Sequence, residues 1–338
     1  MIRTLIIDDS AVARAMIRDF LESDDSFRVV GEARDGREGV EQTERLDPDL
    51  VTVDMEMPVM NGLEAIEEIA KITTTAIVVV TSHDSVKTAY EATVRGALEF
   101  YPKDAFKPGV DARKRGEILD ALKRIAGAGR RIPAKRAAPA PPATIAPRRI
   151  GAVAIAASTG GPQALSRLCP ALPADFPAPI FLVQHNSPGF DRGFAQWLDG
   201  CSPLRVTLAR ERAIPAAGNI YVAPTDRHLE VDRRGFLLDD GEPIHNQKPA
   251  ADALFKSAAA LYGNALVSVT LTGMGRDGAD GTRSVKRAGG VTIAQDEESS
   301  VIYGMPRAAA ETGCVDMVLP LGEIARRLAS LAKEGLQA

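Results

Sequence analysis

Three aspartates stand where apolar runs end. Asp8 and Asp9 follow Thr4-Leu5-Ile6-Ile7, and Asp54 follows Leu50-Val51-Thr52-Val53. If the two runs are neighbouring parallel strands, the carboxylates meet at one sheet edge, where like charges can share a divalent cation or accept a phosphoryl group. Thr81 ends Ile77-Val78-Val79-Val80, and Lys103 comes just after Leu98-Glu99-Phe100-Tyr101. A hydroxyl and an ammonium at that edge could each bond an oxygen of a phosphoryl group on Asp54. Singly, each is an ordinary strand-end polar residue or solvated charge; together, at successive strand ends, they read as a switch.

A second constellation follows. Ala152-Val153-Ala154-Ile155-Ala156-Ala157 runs into Ser158-Thr159-Gly160-Gly161-Pro162. A strand turning sharply into a helix through glycines exposes the serine hydroxyl and aims backbone N–H groups at an anion forming beside it. Taken alone, such a loop serves equally to cradle a nucleotide phosphate. A serine nucleophile needs a base, and His185 ends the next strand, Ile180-Phe181-Leu182-Val183-Gln184; an ordinary imidazole titrates near pH ~6.5 and can take the hydroxyl proton. His83 lies in the first half of the chain, and His228 and His245 fall in loop or hairpin patterns. The third element is Leu271-Thr272-Gly273-Met274-Gly275-Arg276-Asp277-Gly278. Asp277 could hold His185 in the useful tautomer; it could also cap a helix over Gly278–Ala288. Asp280 is a nearby rival.

These residues need sheets to position them. In residues 1–126, strands are predicted at 4–8, 28–33, 49–54, 76–81 and 98–101, separated by helices at 11–22, 36–46, 61–71, 85–96 and 111–126. The first helix has Ser10 as its expected N-cap and Val12, Met16 and Phe20 on one face. Five successive βα units predict a five-stranded doubly wound parallel sheet, with its ligand site beyond the carboxyl ends of the strands. Residues 127–149 hold five prolines, many alanines and six basic residues with no acid, and read as an extended linker. In residues 150–338, buried strands are expected at Ile150–Ala157, Ile180–Gln184, Ala265–Thr272 and Val291–Gln295. The stretch 204–238 carries turn signals at Gly218-Asn219 and Arg233-Arg234-Gly235. This half is expected to be a mainly parallel α/β domain with a β-hairpin-like insert.

Composition narrows the partners. A formal net charge of −4 offers no general attraction for nucleic acid or anionic lipid, and no apolar run approaches the roughly 20 residues of a bilayer span. The N-terminus enters a strand pattern without an export leader, so the expected compartment is the cytoplasm. Cys169, Cys201 and Cys314 are odd in number and far apart, and read as small apolar residues rather than a disulfide or metal framework. A transcription regulator would want a basic helix-turn-helix after the linker, and the second half has no such pattern.

Residues 1–126 resemble the receiver domain of bacterial response regulators, through the paired acids, Asp54-Met55-Glu56-Met57-Pro58 and the final lysine. The resemblance implies Asp54 as phosphoacceptor, Mg²⁺ held by Asp8, Asp9, Asp54 and the Glu56 carbonyl, Thr81 as switch hydroxyl and Phe100 as switch aromatic. One departure is plain: the family usually has Lys-Pro with a cis bond, whereas Pro102 precedes Lys103 and Asp104 follows it. A cis bond costs about 0.5–1 kcal/mol before proline and about 2.5–4 kcal/mol elsewhere. The second half resembles the catalytic domain of the chemotaxis receptor-glutamate methylesterase family. It does so through Ala-Ser-Thr-Gly-Gly at 157–161, Gln-His-Asn-Ser-Pro-Gly-Phe at 184–190, Leu-Thr-Gly-Met-Gly-Arg-Asp-Gly at 271–278 and Tyr-Gly-Met-Pro-Arg at 303–307. By that resemblance Ser158 is the nucleophile, His185 the base and Asp277 the orienting acid, with the Met274 and Thr159 backbones near the oxyanion. It implies hydrolysis of glutamyl methyl esters on chemoreceptor helices, glutamine deamidation by the same machinery, a histidine kinase as phosphodonor, and a receiver that restrains the esterase until Asp54 is phosphorylated. No cofactor is expected at the esterase site. Asp280 stands where the family often has a small residue, and Lys248-Pro249-Ala250-Ala251-Asp252 departs mildly from Arg-Pro-Ser-Val-Asp. The alternative to this reading is a receiver joined to a nucleotide-binding domain.

Overall fold

A computed structural model describes residues 1–82, 86–129 and 150–337, and the chain divides into two compact units, Met1–Pro133 and Ala134–Ala338. His83 and most of the predicted linker lie outside the described residues. The linker's first three residues belong to a helix that runs on to Gly129.

In the first unit, strands β1 (Ile2–Ile7), β2 (Phe27–Ala33), β3 (Leu50–Val53), β4 (Ala76–Thr81) and β5 (Glu99–Pro102) alternate with helices α1 (Ala11–Leu21), α2 (Gly36–Leu46), α3 (Gly62–Ile72), α4 (Val86–Arg95) and α5 (Ala112–Gly129). All strand pairs are parallel, in the order β2-β1-β3-β4-β5. The order reverses at β1, so a crevice opens between the carboxyl ends of β1 and β3, the usual ligand position in such sheets. Asp8 and Asp54 are the first residues past those ends.

Local sequence accounts for most boundaries. Ser10 caps α1, its hydroxyl accepting the Ala13 N–H at 3.3 Å, and Asn61 with Glu64 forms a reciprocal capping box on α3. The expected apolar face of α1 is out by one position. Val12 is 80% exposed, and the buried set is Ala13, Ile17, Phe20 and Leu21. That set is spaced i, i+4, i+7, i+8 and forms the wider stripe, so it outcompetes the shorter run through Val12.

The second unit contains β6 (Ala152–Ala157), α6 (Gly161–Leu168), β7 (Ile180–Gln184), α7 (Asp191–Cys201), β8 (Arg205–Leu208), β9 (Asn219–Val222), β10 (His228–Asp232), β11 (Gly235–Asp239), α8 (Ala251–Tyr262), β12 (Leu266–Thr270), α9 (Ala279–Arg287), β13 (Val291–Gln295), α10 (Met305–Glu311), β14 (Met317–Leu319) and α11 (Leu321–Gln337). Seven strands form one parallel sheet in the order β14-β13-β12-β6-β7-β9-β8. The insert is therefore narrower than the sequence predicts. β8 and β9 extend the main sheet in parallel, and only β10 and β11 form an antiparallel hairpin. The short strand β14 lies outside the predicted strands, its three residues giving too little periodicity to register.

The hairpin fixes α8. Leu229, Val231 and Phe236 from the hairpin and Leu254, Phe255 and Ala258 from α8 share one buried cluster with Ala154, Ala156, Phe181 and Val183 of the sheet, and Phe181 meets Phe236 edge-on at 5.5 Å. The N-terminus of α8 is thereby held at the carboxyl edge of the sheet.

Candidate active site and phosphoacceptor pocket

In the receiver-type unit, Asp8, Asp9 and Asp54 offer oxygens that all lie within 4.8 Å of one another. Asp8 and Asp54 are buried and Asp9 is exposed. Lys103 Nζ sits 2.8 Å from Asp8 Oδ2 and 2.8 Å from Asp54 Oδ2. Asp104 after Lys103 does not prevent this reach: the Lys103–Asp104 bond is trans, and Lys248–Pro249 is the cis bond of the described residues. Burial pushes the Asp8 carboxyl up from its ordinary range, aided by the charge of Asp54, with Lys103 pulling the other way. Burial opposes the charge on Lys103, yet its bonds to Asp54 and Asp8 outweigh that and raise its pKa. Thr81 Oγ1 is buried without a hydrogen bond, whereas Asp8 Oδ2 has only the Lys103 ammonium beside it. A buried polar atom without a partner is uncommon in folded proteins and points to a missing ligand. An all-oxygen carboxylate set of this kind suits a hard divalent cation. Phe100 is buried and packs edge-on against Tyr90 at 4.8 Å, and Glu56 lies exposed in the loop after β3.

In the second unit, β6 lies between β12 and β7, so its carboxyl end is that sheet's switch point. Ser158 follows β6, His185 follows β7, and Thr272 and Asp277 follow β12. Backbone bonds extend the ladder past the strands: Ser158 N donates to Thr272 O at 3.0 Å and His185 N to Ala157 O at 3.0 Å. Gln184 then ties two of the ends together, its Nε2 donating to Ser158 O and His185 O, both at 3.0 Å. Gly160 turns the chain into α6 with φ +75°, which a side chain would strain.

His185 Nε2 lies 2.9 Å from Asp277 Oδ2, whereas Nδ1 is buried with no hydrogen-bond partner among the described residues. Asp277 is 1% exposed. Its Oδ2 also accepts Ala251 N at 2.6 Å, and Oδ1 accepts Asp252 N at 3.0 Å. The helix it caps is therefore α8, not the one that follows it; Gly278 takes that N-cap without a side-chain bond. Burial works against ionising Asp277, but the bond and charge of His185 and the two N–H groups prevail and hold its carboxyl below the ordinary range. With an ionised acceptor on Nε2, the proton of neutral His185 belongs on Nε2, and the basic lone pair lies on Nδ1.

The rival candidates are accounted for. Asp280 pairs with Arg283. Buried His228 accepts Ala250 N on Nδ1 at 3.1 Å and bonds Glu242 O through Nε2 at 3.0 Å. His245 faces Asp252 and Asp280. Gln184, Thr272 and Gly273 were inside the motifs but carried no assigned role. Thr272 Oγ1 donates to Thr159 O at 3.0 Å and accepts Ile302 N at 3.0 Å, pinning the serine loop to a distant segment. A Cβ on Gly273 would come within 2.7 Å of Ser158 Cβ and 2.4 Å of Met305 Sδ. Gly273→Ala is thus expected to displace Ser158 and cut turnover by about 10²-fold, the usual penalty for an ångström-scale misplacement. Initial rates at saturating substrate test this.

A serine, a histidine and an aspartate at the switch point of a parallel sheet, in one chain with a receiver-type pocket, define a receiver-linked α/β serine hydrolase. Residues 153–328 match the CheB methylesterase family and residues 4–110 the response regulator receiver domain family. The chain is 42% identical to a protein-glutamate methylesterase/protein-glutamine glutaminase of Pyrococcus abyssi, over 96% of this chain and 91% of that one. It is also 42% identical to one of Myxococcus xanthus, over 97% and 96%. The second unit is similar to the crystal structure of the Thermotoga maritima CheB methylesterase catalytic domain, with 41% identity, a TM-score of 0.52, and coverage of 54% of this chain and 98% of that one. The chain belongs to the protein-glutamate methylesterase/protein-glutamine glutaminase family, with a receiver domain at its N-terminal end. Neither the site nor these relatives support the nucleotide-binding alternative.

Proposed function

We propose that this chain hydrolyses glutamyl methyl esters on the cytoplasmic helices of chemoreceptors, releasing methanol, and deamidates receptor glutamines at the same site. The observation that carries the reading is the His185–Asp277 pair, ionised at the acid and bare at Nδ1, beside the strand end that presents Ser158. Ser158 Oγ attacks the ester carbonyl while His185 Nδ1 takes its proton. In this reading the Met274 and Thr159 N–H groups meet the tetrahedral oxyanion. Collapse expels methanol with the proton from His185, leaving a glutamyl ester of Ser158. Water, deprotonated by the same imidazole, then releases glutamate and free serine. With a glutamine substrate the leaving group is ammonia. Methanol assays on a methylated receptor fragment test the reading, and full activity in Ser158→Ala would overturn it.

The receiver is read as the control on this chemistry, with a histidine kinase as phosphodonor and the cytoplasm as compartment; no described helix is long and apolar enough to cross a membrane. Asp8, Asp9, Asp54 and the Glu56 carbonyl would hold Mg²⁺, which would neutralise charge on a phosphoryl group transferred to Asp54. Thr81 Oγ1 and Lys103 Nζ are the chain's own donors to that group, and the hydroxyl has no other described partner. Adding roughly −1.5 to −2 charges to an already acidic pocket pulls these donors inward, and the rearrangement relieves a restraint on the esterase. A small acyl phosphate is expected to raise methanol release by the full chain by about 5–150-fold, the span of ordinary coupling energies. Asp54→Asn should abolish the rise while leaving basal turnover in place. Equal rates with and without the phosphodonor would sink the control reading.

A further inference from the structure

Asp252, in the first turn of α8, is wholly buried. Its Oδ1 accepts Gly281 N at 2.6 Å, but its Oδ2 makes no hydrogen bond with any described residue. A buried carboxylate oxygen in this state calls for a partner. Two donor atoms face it. His245 Nε2 is 3.2 Å from Asp252 Oδ2 and 3.7 Å from Asp280 Oδ2, and the three atoms lie within 4.8 Å of one another. The contact to Asp252 falls within ion-pair distance yet lacks hydrogen-bond alignment, as expected of two atoms aimed at a common third point. Donors placed tetrahedrally about 2.0–2.2 Å from one ion are about 3.4 Å apart, and the two measured separations bracket that value.

We infer that His245, Asp252 and Asp280 form a binding site for a borderline divalent cation of the Zn²⁺ class, separate from both the receiver pocket and the esterase triad. One imidazole and two carboxylates are a set such ions favour, and water would complete the coordination. The remaining oxygen of Asp280 is taken by Arg283, with Arg276 3.7 Å away, so this carboxylate is oriented with Oδ2 turned to the cluster. His245 is presented by a tight turn in which Ile244 and Gln247 bond reciprocally at 3.1 and 2.9 Å. Because Asp252 N also donates to Asp277 Oδ1, the ion would brace the end of α8 that holds the acid behind His185.

The test is Zn²⁺ binding by the metal-free full-length chain carrying Asp9→Asn and Asp54→Asn to silence the receiver pocket, followed by titration calorimetry. One equivalent bound at micromolar free metal is expected, weakened roughly tenfold or more by His245→Ala and by Asp280→Asn, and unchanged by Cys201→Ser. Both ligand variants change residues near the surface, and unaltered circular dichroism would show that they fold. Binding that persists unchanged in both variants, or no stoichiometric binding at micromolar metal, overturns the site. The readout is independent of esterase activity, so failure of the esterase assignment leaves it standing.

Discussion

Methanol release is expected to fall by about 10⁶-fold in Ser158→Ala, the scale on which removal of a serine nucleophile acts in hydrolases with this kind of machinery. The substitution removes one oxygen from a half-buried residue and leaves its backbone bonds untouched. Ser158 O still accepts Gln184 Nε2 and Ser158 N still donates to Thr272 O. Folding and substrate affinity should therefore be little changed, and the loss should appear in kcat. His185→Ala is expected to behave similarly for the chemical step. A Ser158→Ala protein that retains wild-type turnover would rule out Ser158 as the nucleophile.

The second large effect is expected for Asp277→Asn, a loss of about 10⁴-fold in turnover. Asp277 accepts three N–H groups through two oxygens: His185 and Ala251 at Oδ2, and Asp252 at Oδ1. An asparagine has one oxygen and one amide nitrogen. If its oxygen serves Asp252, the NH₂ faces His185, which must then accept through Nε2 and carry its proton on Nδ1, away from the basic role. If its oxygen serves Ala251 and His185, the Asp252 N–H faces a donor in a buried setting, at a cost of about 1–3 kcal/mol. Activity and stability should therefore both fall.

Acid titration separates the two. Because the folded Asp277 has a depressed pKa, its ionised interactions contribute full stability above the ordinary carboxylate value of about 3.9. That contribution is lost as pH falls through the depressed value. The stability gap between wild type and Asp277→Asn should be widest near neutrality and should close at low pH, as followed by denaturant unfolding of the second unit. A gap constant with pH would show that the carboxylate charge is not what the site uses.

Most of the receiver pocket could be read without a structure, and the reason is its topology. In a β2-β1-β3-β4-β5 sheet the acids and Lys103 come just after their strands and Thr81 ends its own, so locating apolar runs locates the pocket. Lys103 is named by the sequence, but its reach needed the coordinates, because the family's Lys-Pro is absent and the trans bond to Asp104 still lets Nζ meet both carboxylates. The face of α1 was read one position out, since stripes that share Phe20 differ only in which neighbours pack on the sheet. β8 and β9 resembled a hairpin because turn signals mark where strands end but not the direction in which they pair.

For the esterase site, the chain alone determined the chemical inventory: a serine in a glycine turn, a histidine and an aspartate, each after an apolar strand. Strand periodicity and glycine chemistry are local, so they survive in one dimension. The partnerships needed the fold. That Asp277 caps α8 while holding His185, that Nδ1 rather than Nε2 is left bare, and that His245 meets Asp252 and Asp280 all join residues from 7 to 92 positions apart. Such contacts are set by where the hairpin and α8 pack on the sheet, a balance of burial spread over many side chains that no short motif records.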